Sequence, residues 1–386
     1  MKNKVKLIRI TTIARSMNRL LEGQLSFMSK HFDVKGIASP DMGSDILRKR
    51  ENVDLIDLKM NRGISPFHDI VAIIKMFFIF RKEKPTIIHS HTPKAGLVAM
   101  IAGKFSGVPI RLHTIAGLPL ETTRGVKRRV LLSVEKIIYS FATKIYPNSY
   151  GVKDFILNNK LVNKSKVGFI ANGSSNGIDL NYFKNNNKIE QEGNKFREEF
   201  GILSTDKVFL FVGRLVVDKG IEPLIDAWCL LQKEEENIKL ILVGDFEEQL
   251  SPLPPHIVDM ISKNKTIVAT GYQMDVRPFF GFADFFVFPS YREGLPNVVL
   301  QAGAFELPMI VTNINGSTDI VEQEVNGVII PVKDTAAIYK AMKRFLVDSD
   351  LVNKLRQNAR KTIEERYDRN LIHESLLKEY KHLLNN

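Results

Sequence analysis

Short apolar runs alternate with longer segments of helical period along nearly the whole chain. Runs rich in β-branched and aromatic residues at 5–11, 32–38, 53–58, 86–91, 110–115, 144–148 and 167–171 predict strands. Segments 18–30, 69–82, 94–105 and 125–142, lying between most of them, predict helices. Such alternation means parallel strands joined by helical crossovers. A turn-rich stretch at 172–179 interrupts the series, and the polar, asparagine-rich stretch 185–194 predicts a linker. A second series follows, with strands at 208–212, 239–243, 266–269, 284–288, 309–312 and 327–331 and helices at 221–233, 258–262, 298–305 and 336–346. The tail predicts helix with a break near Tyr367 and Asp368. The pattern predicts an α/β protein of two Rossmann-like domains, 1–184 and 185–365, facing each other across a cleft.

Composition narrows the picture. A chain of 386 residues is long for one core, in keeping with two domains. No apolar stretch reaches spanning length; the longest, 70–80, carries Lys75 and reads as an amphipathic helix. The basic N-terminal start leads into a run broken by Arg9, so no secretory signal is expected. The single cysteine, Cys229, excludes internal disulfides and cysteine metal clusters and reads as a buried thiol in a reducing compartment. The net charge of +12 is uneven: residues 1–190 hold 32 Lys and Arg against 14 Asp and Glu, and the remainder holds 23 against 29. An anionic partner is therefore expected for the first half alone, be it nucleic acid, lipid headgroups or a phosphorylated acceptor.

Two stretches carry candidate chemistry. Gly213-Arg214 and Asp218-Lys219-Gly220 follow one strand and open a helix. Glycine admits close backbone approach, arginine suits a forked contact to phosphate oxygens, and lysine supplies a compact charge. A surface loop with two solvated cations is the plainer alternative. The second stretch, Arg292 to Gln301, follows the strand at 284–288. Pro296 is expected at the start of its helix, where free N–H groups and the helix dipole favour an anion. Glu293 and Gln301 then line one polar site at the carboxyl end of a strand.

Taken together, G-R-L-x-x-D-K-G and P-S-x-x-E-G-L-P-N-V-V-L-Q resemble retaining glycosyltransferases of family 4 with the GT-B fold. N-G-I-D-L-x-x-F at 176–183 and G-S-T-D-I-V-x-x-x-x-N-G at 316–327 extend the resemblance. It implies that Arg214 and Lys219 bind the donor diphosphate beside Gly213. It further implies that Glu293 contacts the sugar hydroxyls and that the backbone of Gly294, Leu295, Pro296 and Asn297 faces sugar and phosphate. The family's second acidic position is Gln301 here, whose carbonyl oxygen can still accept from a ribose hydroxyl. The family's active-site histidine position falls on Ala116, leaving His113 and His91 (with Lys94 nearby) as stand-ins. The glycine-rich loop that many relatives carry after the first strand is T-T-I-A-R-S-M-N here, with Arg15 as its cation. The front-face mechanism implied by the family needs no protein nucleophile.

Metal is not expected: there is no His/Cys cluster at ligand spacing. His89 and His91 are expected on opposite faces of their strand. No cofactor is expected beyond the substrate, a nucleoside diphosphate sugar with UDP favoured. The resemblance also implies that the last segment, 366–386, crosses back to the first domain. Basic clusters at 48–50, 81–84 and 124–129, the last opening a helix with a strongly apolar continuation, suit an anionic membrane surface. No nucleic-acid motif accompanies the charge, so nucleic acid is not an expected partner. The expectation is a cytoplasmic enzyme, peripheral on the inner face of the membrane, with a lipid-linked glycan as acceptor. A nucleotide-sugar epimerase or hydrolase, or a non-catalytic scaffold, are the alternatives.

Overall fold

The computed structural model of the chain describes residues 4–61, 63, 65–118, 123–247 and 251–385. The chain divides into two units, Met1–Gly177 with Arg369–Asn386, and Ile178–Asp368. In the first, β1 (Lys6–Ile13), β2 (Asp33–Ser39), β3 (Asp54–Asp57), β4 (Ile87–Ser90), β5 (Ile110–Ile115) and β6 (Lys144–Pro147) form one parallel sheet. Its order is β3-β2-β1-β4-β5-β6. Alternate residues of its strands enter two cores. Ile8, Ile10 and Ile88 meet buried residues of the helices Pro66–Glu83, Pro93–Phe105 and Gly125–Phe141. Leu7, Ile87 and Leu112 meet those of Ala14–Leu20, Gln24–Ser29 and Arg369–Asn385. Burial on both faces explains why the central strands read as continuous apolar runs.

The second unit repeats the scheme. Strands β7 (Lys207–Val212), β8 (Ile238–Val243), β9 (Ile267–Gly271), β10 (Phe285–Phe288), β11 (Met309–Thr312) and β12 (Gly327–Ile330) are parallel, in the order β12-β11-β10-β7-β8-β9. Each sheet therefore reverses direction of progress between its first and fourth strands, the place where such sheets bind ligands beyond the carboxyl ends.

Several sequence expectations change. The helix expected over 18–30 is two helices, because Gly23 between them takes φ +73°. The strand expected at 167–171 is reduced to one bridge from Val167 to Ile145; Gly168 lies against the Tyr146 ring and Ala171 turns at φ +47°. The linker expected at 185–194 is mostly a helix, Asn187–Glu199. Asn186 caps it, its side chain accepting from the backbone N–H of Lys188 and Ile189 at 3.1 Å. Ile189 and Gly193 are buried beside Gly281 and Phe282. The first division of the chain accordingly falls at Gly177, not 184. There Asn176 is tied into the first unit through Glu22, Gln24 and His373, while the Ile178 N–H donates to Tyr367 in the second. The C-terminal break lies at Asp368, and the segment that joins the first unit begins at Arg369 rather than 366.

Candidate active site

In the second unit, the loops after β7 and β10 meet at the reversal of the sheet. The β7 loop runs through Gly213 and Arg214 to a turn at Val217–Lys219, then Gly220 and the helix Ile221–Leu231. Gly220 has φ +70°, and a Cβ there would stand 2.1 Å from the Pro289 carbonyl oxygen, so only glycine lets the two loops close up. The Asp218 carbonyl accepts from the Tyr291 N–H at 2.9 Å, and its carboxylate accepts from Arg292 Nε and Nη2 at 3.1 and 2.9 Å.

This stitching brings Lys219 to Glu293. Lys219 Nζ is ion-paired with Glu293 Oε1, which also accepts from Ser290 Oγ at 2.8 Å. Both side chains of the pair are largely shielded, and Lys219 Nζ stands 5.0 Å from the centre of the Phe288 ring. Glu293 Oε2 has no protein partner among the described residues. Arg214 is more exposed and is ion-paired with Glu247 from the loop after β8. A third loop, after β11, closes over the second: a Cβ on Gly316, at φ +79°, would stand 2.2 Å from the Gly294 carbonyl oxygen.

Leu295 packs against the core and Pro296 is buried. Pro296 is the capping residue before the helix Asn297–Ala304, one position earlier than expected. Having no N–H, it can shape the backbone there but cannot donate. Asn297 is exposed at the first turn. Gln301 lies a turn further in, and its Oε1 is buried without a partner. An unfilled acceptor of this kind carries a cost until a donor arrives.

The candidates in the first unit are enclosed. His113 is buried, with Nδ1 2.8 Å from Ser90 Oγ, and a Cβ on Gly96 would lie 2.6 Å from its ring. Burial pushes its pKa down to about 3, so the ring is neutral near pH 7. His91 is also buried, with Nε2 2.6 Å from Arg9 Nη2. Since guanidinium only donates, that nitrogen accepts and the proton sits on Nδ1. Burial, helped by His89 and Arg9, holds His91 well below the usual range. Residues two apart on a strand share a face, and the His89 and His91 rings do so, with centroids 4.3 Å apart; the expectation of opposite faces was an error of register. With Thr114, Asn148 and Ser174 on one side and Ile170, Ile372 and Leu376 on another, they line a mostly apolar cavity of about 10 Å³, room for roughly one water. Lys94 pairs with Asp69 instead of reaching His91, and Arg15 lies by Asp41. Among the described residues no group of three or more His, Cys, Asp or Glu is placed to hold a metal ion.

Sequence reading found the two motif loops but missed Glu247, Ser290 and the Asp218–Arg292 bridge. Ser290 braces Glu293 within one loop, the other two contacts run between loops, and no residue pattern along the chain marks them.

These sheets and loops define an α/β protein built on two parallel, helix-covered sheets. Residues 193–362 match the family of glycosyl transferases group 1, and residues 31–173 match a glycosyl transferase 4-like domain. The capsular polysaccharide biosynthesis glycosyltransferase CapM of Staphylococcus aureus is 34% identical over 378 residues, covering 97% of this chain and 96% of that protein. The UDP-Gal:alpha-D-GlcNAc-diphosphoundecaprenol alpha-1,3-galactosyltransferase of Escherichia coli is 29% identical, covering 78% of this chain and 76% of its own. A crystal structure of Anabaena HepE in complex with UDP shares the fold at a TM-score of 0.81 and 17% identity, over 98% of this chain and all of that one. The chain belongs to the group 1, family 4-like glycosyltransferases and has their GT-B fold.

Proposed function

We propose that this protein transfers a sugar from a nucleoside diphosphate sugar, UDP-linked by preference, to a lipid-linked glycan in cell-surface polysaccharide synthesis. The observation that carries the reading is the Lys219–Glu293 pair held by Ser290 where β7 and β10 end. Arg214 and Lys219 receive the diphosphate, and their fixed positive charge stabilises it as it departs. Glu293 turns its free oxygen to the sugar hydroxyls. The N–H groups of Gly294, Leu295 and Asn297 face sugar and phosphate, while Pro296 and Gly213 let the backbone come close. Gln301 offers its unfilled Oε1 to a ribose hydroxyl. The acceptor hydroxyl attacks the anomeric carbon on the face the diphosphate leaves, its proton passes to the departing phosphate oxygen, and configuration is retained without a protein nucleophile or a metal. His113 and His91, both neutral and enclosed, have no part in this scheme.

The relatives support the acceptor class: the Escherichia coli enzyme is named for a diphosphoundecaprenol-linked substrate and the Staphylococcus aureus one for capsular polysaccharide. A lipid-linked acceptor would bring the enzyme to a membrane surface on the cytoplasmic side, although no described helix is long and apolar enough to cross one. The test is incubation of purified protein with UDP-, GDP- and ADP-sugars, with and without a lipid-diphosphate-linked acceptor. Release of UDP only with acceptor, undiminished by EDTA and with the anomeric configuration kept, is the expected result. Epimer formation without acceptor would replace transfer with epimerisation. Unimpaired function in Glu293→Ala would point to a non-catalytic scaffold.

A further inference from the structure

Helices Pro66–Glu83, Pro93–Phe105 and Gly125–Phe141 form a layer on one face of the first sheet, the middle one packing against both neighbours. Ala72, Met76 and Phe80 turn the first helix's inner side into the core. Its outer side is also apolar: Phe67, Ile70, Ile74 and Phe78 are 75, 57, 51 and 64% exposed. Their spacing of three, four and four residues places them on one stripe. Phe105 and Val126, on the two neighbouring helices, are exposed as well.

The charges around this stripe have one sign. Lys75, Arg81 and Lys82 are exposed on the first helix, Lys104 on the second, and Lys127, Arg129 and Lys136 on the third. The acids of the same helices are withdrawn. Asp69 is buried against Lys94, Glu83 is held by Lys6 and Lys35, and Glu135 is buried. A merely solvated helix layer would mix signs and hide its phenylalanines. Phosphate-backbone binding would explain the cations but leave four large apolar side chains in water. Anionic lipid meets both requirements, with headgroups for the cations and the acyl boundary for the stripe.

We propose that this face of the first unit docks on an anionic lipid surface, with Phe67, Ile70, Ile74 and Phe78 entering the acyl boundary. The sequence pointed to the helix beginning at Gly125; most of that helix's large apolar residues turn inward or half inward, and the exposed stripe lies on Pro66–Glu83. The biological need for such docking rests on the proposed lipid-linked acceptor, but the surface can be tested apart from the sugar chemistry.

The experiment is flotation of the full chain with phosphatidylcholine vesicles containing 30% phosphatidylglycerol, against pure phosphatidylcholine, at low salt. Wild type is expected to float with the anionic vesicles only. Phe67→Ser with Phe78→Ser, two outward side chains whose loss should leave thermal unfolding unchanged, is expected to cut bound protein at least fivefold. Lys75→Glu with Lys82→Glu is expected to do the same. Transfer to a short-chain, water-soluble acceptor should be unaffected, while transfer to a long-chain acceptor in vesicles should fall at least tenfold. Wild type that stays with the unbound fraction, or a phenylalanine variant that floats like wild type, overturns the proposal. A loss of self-association in that variant, with no vesicle binding by wild type, would assign the face to a second copy instead. Failure of transfer to the soluble acceptor by wild type would overturn the sugar-transfer reading and leave the docking result standing.

Discussion

Lys219 Nζ and Glu293 Oε1, seventy-four positions apart, are ion-paired with both side chains largely shielded rather than on open surface. In the proposed reaction the pair places the cation for a departing diphosphate beside the carboxylate for the transferred sugar. A substitution at either position should therefore disturb both jobs. Glu293→Gln keeps the shape but removes the charge, and it is expected to lower kcat about 10²-fold or more with the unfolding temperature little changed. Steady-state kinetics with calorimetric scanning would check this; a variant within threefold of wild type would remove Glu293 from the reaction.

Arg214 is ion-paired with Glu247. In the proposed reaction a diphosphate competes with that carboxylate for the guanidinium. Such partly exposed pairs are worth roughly 0.2–1 kcal/mol, so Glu247→Gln should tighten UDP binding by up to about fivefold. Arg214→Ala should weaken it by at least tenfold. Isothermal calorimetry would distinguish the two, and unchanged affinity in Glu247→Gln would mean the carboxylate leaves at no cost.

Gly220 closes the joint between the two motif loops. Alanine there must both adopt φ +70° and avoid the Pro289 oxygen, so the loops have to part. The expected loss is about 2 kcal/mol or more in stability, together with much weaker nucleotide binding. Denaturant unfolding with a parallel binding assay would reveal it; full UDP affinity in Gly220→Ala would show that the joint is not needed.

Glu135 provides a pH handle within the first unit. Burial raises its pKa from 4.5 to about 7. The folded state then holds a proton that the unfolded chain has released, so stability falls as pH rises from about 4.5 to about 7 and is level above that. The loss attributable to this group is on the order of 3 kcal/mol. Glu135→Gln should gain roughly that much at pH 8 and gain little at pH 4. Melting curves at the two pH values would test it, and an equal effect at both would exclude titration of Glu135 as the cause.

The parts of the fold legible in the chain were those set by local pattern. Residues 285–288 and 240–243 are apolar on both faces, as buried parallel strands between helical segments are. Asn186 was misread because asparagine signals both loops and helix caps; its cap bonds to Lys188 and Ile189 decide for the helix, with Ile189 as the buried anchor. Val167 was misread because an apolar run does not say whether a neighbouring strand is free to pair with it. At the site, Arg214, Lys219 and Glu293 were visible as residue types in an ordered motif. Ser290, Glu247 and the Arg292–Asp218 bridge join loops 33 to 74 positions apart or depend on how a turn folds, and no pattern along the chain records that. The outward stripe on Pro66–Glu83 was hidden for a different reason: its four residues look like core until their exposure is known.

The helix Arg369–Asn385 fills the core beneath β1 and β4 with Ile372, Leu376, Leu377 and Tyr380, and Tyr380 reaches His89 at 2.6 Å. On the ribosome this helix follows the whole of residues 178–368. While those are being made, the first 177 residues have no cover for Leu7, Phe32 and Tyr146 and cannot finish folding, although they emerge first. The second unit, continuous in sequence, is free to reach its native state earlier. Synthesis thus inverts the usual order in which the N-terminal part matures first, and a chain released before residue 369 would leave a sticky half-built unit for chaperones or proteases.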